Sequence, residues 1–336
     1  MFDILERLCN LDSTSGDEIS VREFIINEIK DYCDWKTDNL GNIIAFKKGK
    51  NKSAKKLMLD AHMDEVGLII TSVTADGFLK FKTVGGIDAS ALMFRSIKIN
   101  DNINGVISGK PIHLISSDER KKPPKEDSLY IDIGAISKED ALKCVSLGSR
   151  AVLCGEYSEN GEKIISKALD DRIGCAVLIK LIKEYDEYDF YASFSVQEEV
   201  GLRGAKVTAF AINPDSAIVL EGTTAADISG VSEENKVCKL GEGVAVSFMD
   251  TAAVYDKEYY DYALTSGIKC QPKAAVTGGN NSGVIHFNGE GVRTVALSLP
   301  CRYIHTSSSV ADKDDCECLL SLAKYMLKGI CSGKIS

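Results

Sequence analysis

FYASFSVQEEVGLRGAK, residues 190–206, sets an apolar run against two adjacent glutamates, Glu198 and Glu199. The run Phe190–Gln197 has the length and the aromatic content of a strand. Carboxylates at its end are costly, because desolvating a charge without a partner costs several kcal/mol or forces a pKa shift. Either the pair lies on a solvated rim, or something cationic waits for it. The choice depends on which other residues reach the same place.

Other apolar runs end in the same way. KKLMLDAH (55–62) stops abruptly and continues as HMDEVG (62–67), with His62 and Asp64 two apart and so on one side of an extended chain. DSAIVLEG (215–222) carries Glu221 at its end, and GVRTVALSLP (291–300) runs into CRYIH, which ends in His305. Asp170 and Asp171 open the helical pattern DDRIGCAVLIKLIKEYD (170–186). Each has an ordinary reading: a local histidine–aspartate pair, a helix N-cap, a surface histidine. Ligands of open α/β sheets gather outside the carboxyl ends of the strands, and imidazoles with carboxylates at such ends suit a carboxylate-bridged pair of divalent ions.

Strands alternating with helices predict an α/β fold, a mixed, mostly parallel sheet flanked by helices. The spacing over 16–33 places Val21, Ile25, Ile29 and Cys33 on one helical face, with Ser15 as a possible cap, and DDCECLLSLAKYMLKGI (314–330) reads as a closing helix. Between 66 and 159 the texture changes to short β-type runs separated by glycine turns, among them VGLIITSV, GFLKFKTVGG, FRSIKIN, INGVISGK and RAVLCGEY. This predicts a small inserted β-barrel or PDZ-like domain in an α/β domain built from 1–65 and 160–336. The insert holds a charged Pro-Pro loop at 116–127.

Composition narrows the function. The 336 residues are 44% hydrophobic and 26% charged, enough for a sizeable core, and the net charge of -9 disfavours a nucleic-acid partner. The 11 cysteines contain no CxxC pair, which predicts reduced thiols and a cytoplasmic protein. The charge-studded start lacks a signal peptide, and no apolar run approaches the ~18 residues of a membrane span.

The order of STSGDE (13–18), HMDEVG, SKALDDRIG (166–174), QEEVGLRGA and RYIH (302–305) resembles the dinuclear-metal aminopeptidases of the glutamyl-aminopeptidase and tetrahedral (TET) type, some of which are also called endoglucanases. The resemblance covers essentially the whole chain. It implies a zinc-peptidase-like catalytic domain and an insert that builds oligomers, from dimer to dodecamer. It also implies two divalent ions, zinc, cobalt or manganese, on His62, Asp170, Glu199, Glu221 and His305. By the same resemblance Asp170 bridges the ions, Asp64 orients His62, and Glu198 is the general base for hydrolysis of peptides with a free N-terminus. Two positions depart from the family pattern: Glu221, more often aspartate, and Asn281, commonly aspartate in a loop expected to border the site. A deacylase, a carboxypeptidase or a non-catalytic assembly protein are the other readings. A cellulase would need carboxylates flanking a sugar cleft, and Trp35 is the single tryptophan.

Overall fold

The computed structural model describes residues 1–100, 102–117 and 121–335. Part of the charged loop predicted at 116–127, namely Asp118, Glu119 and Arg120, lies outside the described residues. The strands in chain order are β1 (Asp34–Thr37), β2 (Ile43–Lys47), β3 (Leu57–His62), β4 (Gly67–Val73), β5 (Leu79–Val84), β6 (Ser96–Ile99), β7 (Ile103–Ser108), β8 (Tyr130–Asp132), β9 (Arg150–Leu153), β10 (Ser158–Asn160), β11 (Lys163–Ser166), β12 (Phe190–Ser195), β13 (Ser216–Thr224), β14 (Val244–Val246), β15 (Cys270–Pro272), β16 (Arg293–Cys301) and β17 (Ser309–Asp312).

Eight strands form one mixed sheet in the order β1-β2-β12-β3-β13-β16-β14-β15. Its centre, β12, β3, β13 and β16, is parallel, so the carboxyl ends of these strands leave the sheet on the same side. Alternation along each strand divides the sheet residues between two cores. Ile43, Ala45, Leu57, Leu59, Ala61, Ile218, Leu220, Val295 and Leu297 pack on one face, against the helices Phe2–Cys9, Ile19–Ile29, Leu169–Glu184 and Lys313–Cys331. Ile44, Met58, Ala217, Val219 and Ala296 pack on the other, against Ala205, Ala209 and Ile212 of the helix Arg203–Ile212.

Between β3 and β10 the chain makes a separate closed barrel, β4-β5-β8-β7-β6-β9, whose neighbouring strands are all antiparallel. It encloses its own core of Leu68, Ile70, Leu79, Phe81, Ile97, Ile99, Ile107, Ile131 and Leu153. The runs predicted there are strands, and LYIDIGA adds the short β8.

The helix expected over 16–33 is shorter, Ile19–Ile29, with the predicted Val21, Ile25 and Ile29 buried. Ser15 does not cap it. Glu18 occupies the N-cap, and the Ser15 hydroxyl donates instead to Asp64 Oδ2 at 2.6 Å. The closing helix spans Lys313–Cys331, with Leu319, Leu322, Ala323 and Met326 inward. All eleven cysteines are free thiols. Among the described residues no helix is long and apolar enough to cross a membrane.

Candidate metal centre and active site

Strand register sets the site. His62 is the last residue of β3 and pairs with Ser195, the last residue of β12. Val219 of β13 pairs with Asp60, so two residues further along Glu221 reaches the level of His62. The chain leaving β12 turns through Gln197, which has positive φ, and presents Glu198 and Glu199. The chain leaving β16 turns through Tyr303 and His305, again with positive φ. Asp170 enters from the start of the helix Leu169–Glu184, where the backbone of Asp170 and Asp171 is not yet helical.

The residues singled out in the sequence meet here. His62 Nε2 is 3.3 Å from Asp170 Oδ1 and 3.6 Å from Glu221 Oε2. His305 Nε2 is 3.1 Å from Glu199 Oε1 and 3.6 Å from Asp170 Oδ2. The two oxygens of Asp170 therefore face one imidazole each. Gly222 permits this approach: a Cβ there would come within 2.7 Å of the Asp170 Cβ. Its N–H also donates to Asp170 Oδ1 at 3.2 Å.

Both imidazoles are held from behind. His62 Nδ1 contacts the Asp64 carbonyl oxygen at 3.1 Å and Asp64 Oδ1 at 3.4 Å. Besides its contact with His62, the Asp64 carboxylate accepts from Glu198 N–H at Oδ1 (3.0 Å) and from Glu199 N–H at Oδ2 (3.2 Å). One buried carboxylate thus fixes a ligand candidate and the turn that carries the two glutamates. His305 Nδ1 donates to the carbonyl of Gly86, just after β5, at 2.8 Å. The barrel therefore orients a side chain of the other domain, a contact that sequence spacing does not disclose. With Nδ1–H donated backward, Nε2 is the ring nitrogen that faces the carboxylates of the site.

Asp171 was not among the predicted site residues, yet it is fully buried behind them. It accepts from His62 N–H at 3.1 Å and from Gly174 N–H at 2.9 Å, which makes it the cap of the helix and a brace for β3. The loop of Asn281 borders the cleft, as expected, through Thr277, Gly278, Gly279 and Asn280. Asn281 itself is buried beneath it, its amide donating to Asp60 Oδ2 at 2.7 Å and Ser195 Oγ at 2.9 Å. The neighbouring Asn280 is the residue that faces the cleft.

The electrostatics are those of a site short of positive charge. Burial opposes a charge on His305, but its contacts with Asp170 and Glu199 push its pKa up to about 11. His62 is likewise raised well above its usual value against the effect of burial, by Asp170, Asp64 and Glu221. Burial lifts Glu221 to about 7, and it lifts Glu198 well above the carboxylate range with help from Glu221, Glu199 and Asp170. Glu221 Oε1 is buried with no hydrogen-bond partner. Two sets, His62–Asp171–Glu221 and His62–Asp170–Glu199, offer ligand atoms within 4.8 Å of one another. An orphaned buried oxygen, a carboxylate shared by two histidines and a donor set of imidazole and carboxylate fit divalent cations of the zinc, cobalt or manganese kind. Glu198 is outside both sets. It lines a cleft of about 180 Å³ together with Asp170, Glu199, Glu221 and His305.

The profile of the M42 glutamyl aminopeptidase family matches residues 41–322. The chain belongs to this family. A putative aminopeptidase of Acetivibrio thermocellus is 39% identical over 98% of both chains. The lysyl aminopeptidase of Pyrococcus furiosus is 30% identical over 97% of this chain and 96% of its own. Among solved structures, the TET1 peptidase of Pyrococcus horikoshii superposes with a TM-score of 0.84 at 33% identity, over 97% of this chain and 98% of that one. The M42 chain described here is accordingly an aminopeptidase, with the α/β sheet and inserted barrel of those structures.

Proposed function

We propose that this M42 peptidase releases N-terminal amino acids from short peptides with a free α-amino group, using two divalent cations held by His62, Asp170, Glu199, Glu221 and His305. The observation that carries the reading is the Asp170 carboxylate, with one oxygen toward His62 and the other toward His305. Bound there, the cations supply Lewis-acid polarisation of the scissile carbonyl and acidify water. The chain's own groups do the rest. Glu198 takes a proton from the attacking water as its oxygen bonds to the carbonyl carbon, then returns that proton to the amine as the C–N bond breaks. Burial, and after it the neighbouring carboxylates Glu221, Glu199 and Asp170, raise the proton affinity of this base, which favours its taking up the proton. Asp64 holds Glu198 and His62 in a fixed relation through the hydrogen bonds to both. The surrounding carboxylates favour a substrate whose α-ammonium enters first.

The Pyrococcus horikoshii TET1 peptidase can assemble into a tetrahedron or a large octahedral shell. By analogy we take this chain to form a homo-oligomer, between dimer and dodecamer, with the unit at 66–159 supplying contacts between copies. Eleven free thiols suit the reducing cytoplasm, where we place it.

Protein loaded in turn with zinc, cobalt and manganese is expected to cleave unblocked di- and tripeptides and to leave their N-acetylated forms intact. Cleavage of N-acyl amino acids, or trimming from the carboxyl end, would favour the deacylase or carboxypeptidase reading instead. The family profile is named for glutamate and one relative for lysine. Family membership therefore leaves the preferred N-terminal residue open.

A further inference from the structure

STSGDE (13–18) contributes none of the ligand candidates, and its side chains have another task. Its first residues are laid against the exit of β3. Ser13 N–H donates to Glu65 Oε1 at 3.1 Å, the Ser13 hydroxyl to the Met63 carbonyl at 3.1 Å, and Glu65 N–H to the Ser13 carbonyl at 2.8 Å. The chain then turns at Gly16, whose φ of +86° suits glycine. Glu18 follows in the N-cap position of the helix Ile19–Ile29, only 4% exposed. A carboxylate there would ordinarily accept from the first turn of its own helix. The Glu18 side chain makes no such bond. Its Oε1 accepts instead from Gly16 N–H at 2.6 Å and, across 179 positions, from Gln197 N–H at 3.2 Å.

Gln197 is where the chain leaves β12 with a φ of +55°, a conformation that an L-residue holds only where its surroundings fix it. Three consecutive N–H groups of this turn each end on a buried carboxylate: Gln197 on Glu18, and Glu198 and Glu199 on Asp64. The Gln197 carbonyl accepts from Arg203 N–H at 3.2 Å, so the peptide groups on both sides of this residue are held. Ser15 joins the motif to the second carboxylate through its hydroxyl on Asp64 Oδ2. Burying two neighbouring carboxylates is unfavourable unless donors compensate each of them, and the turn supplies those donors.

We propose that Glu18 is a positioning residue for the hydrolysis: by accepting from Gln197 N–H it fixes the turn that aims the Glu198 side chain into the cleft. The assignment rests on the general-base reading of Glu198 above. Without this acceptor the backbone next to the base is released, and a displacement of about 1 Å is enough to cost on the order of 100-fold in rate.

The test uses zinc-loaded protein and an unblocked dipeptide. Glu18→Met should lower kcat by about 100-fold, with KM and zinc content near wild type. Glu18→Gln, which keeps a carbonyl oxygen in the place of Oε1, should recover most of that loss. Added to Glu198→Gln, the Glu18→Met change should cost less than about 3-fold more, because the group it positions has already lost its function. Hydrogen exchange should find the amides of Gln197, Glu198 and Glu199 protected in wild type and faster in Glu18→Met. An undiminished kcat in Glu18→Met overturns the assignment. So does the full loss on top of Glu198→Gln, or a loss of zinc, either of which makes Glu18 merely structural. Should Glu18→Met fail to fold, the wild-type exchange and Glu18→Gln decide: unprotected amides at 197–199, or a Glu18→Gln variant about 100-fold slower than wild type, overturn the proposal. Wild-type turnover in Glu198→Gln would defeat the general-base reading itself, whereas loss in Glu198→Gln with none in Glu18→Met would defeat the Glu18 assignment alone.

Discussion

Glu198→Gln should lower kcat by about 10²–10⁴-fold while leaving metal content and unfolding midpoint near wild type. The change removes little except a proton acceptor. The Glu198 side chain lies in the cleft outside both candidate ligand sets, so an amide of the same shape disturbs neither. Its backbone N–H, which carries the bond to Asp64, is retained. Hydrolysis and metal analysis of the same preparation check the expectation. Wild-type turnover would remove Glu198 from the reaction, and loss of metal would make it a ligand.

The largest stability effect is expected at Arg172. Its side chain is the largest of those fully buried, in the first turn of the helix Leu169–Glu184. The guanidinium donates to the carbonyls of Leu8 at 3.2 Å and Leu11 at 3.5 Å, to that of Met63, and to Glu65 Oε1 at 3.3 Å. It thereby ties the N-terminal segment to the exit of β3, one residue beyond His62. Arg172→Met preserves volume but leaves those acceptors without a donor. Glu65 keeps Lys167, so its charge is only partly uncompensated. Breaking a buried charged network by removing one partner typically costs 3–5 kcal/mol, and about that loss should appear in urea unfolding. A loss below about 1 kcal/mol would mean that the network contributes little.

What the sequence disclosed follows from how each feature is encoded. The central strands were visible because their apolar runs stop at charged residues, and those same stops supplied His62, Glu198, Glu199, Glu221 and His305. β1 escaped notice because all of Asp34–Thr37 is exposed and lacks apolar alternation. β8 is three residues long, too short for a period. Ser15 reads locally as a helix cap, but Asp64, 49 positions away, competes for its hydroxyl and wins. The support of His305 by Gly86 spans 219 positions and uses a backbone carbonyl, which leaves no mark in the side-chain pattern. The loop read as bordering the site does so at 277–280, while Asn281 itself pairs with Asp60 beneath the floor.

The convergence of His62, Asp170, Glu199, Glu221 and His305 is tested most directly by counting bound metal. Purified protein stripped with a chelator, dialysed against zinc and analysed by mass spectrometry of the elements should carry two ions per chain. Asp170→Ala, which removes the carboxylate shared by both histidines, should carry fewer than one. Stripped wild-type protein that takes up no zinc, or an Asp170→Ala variant that still holds two ions, would contradict the account.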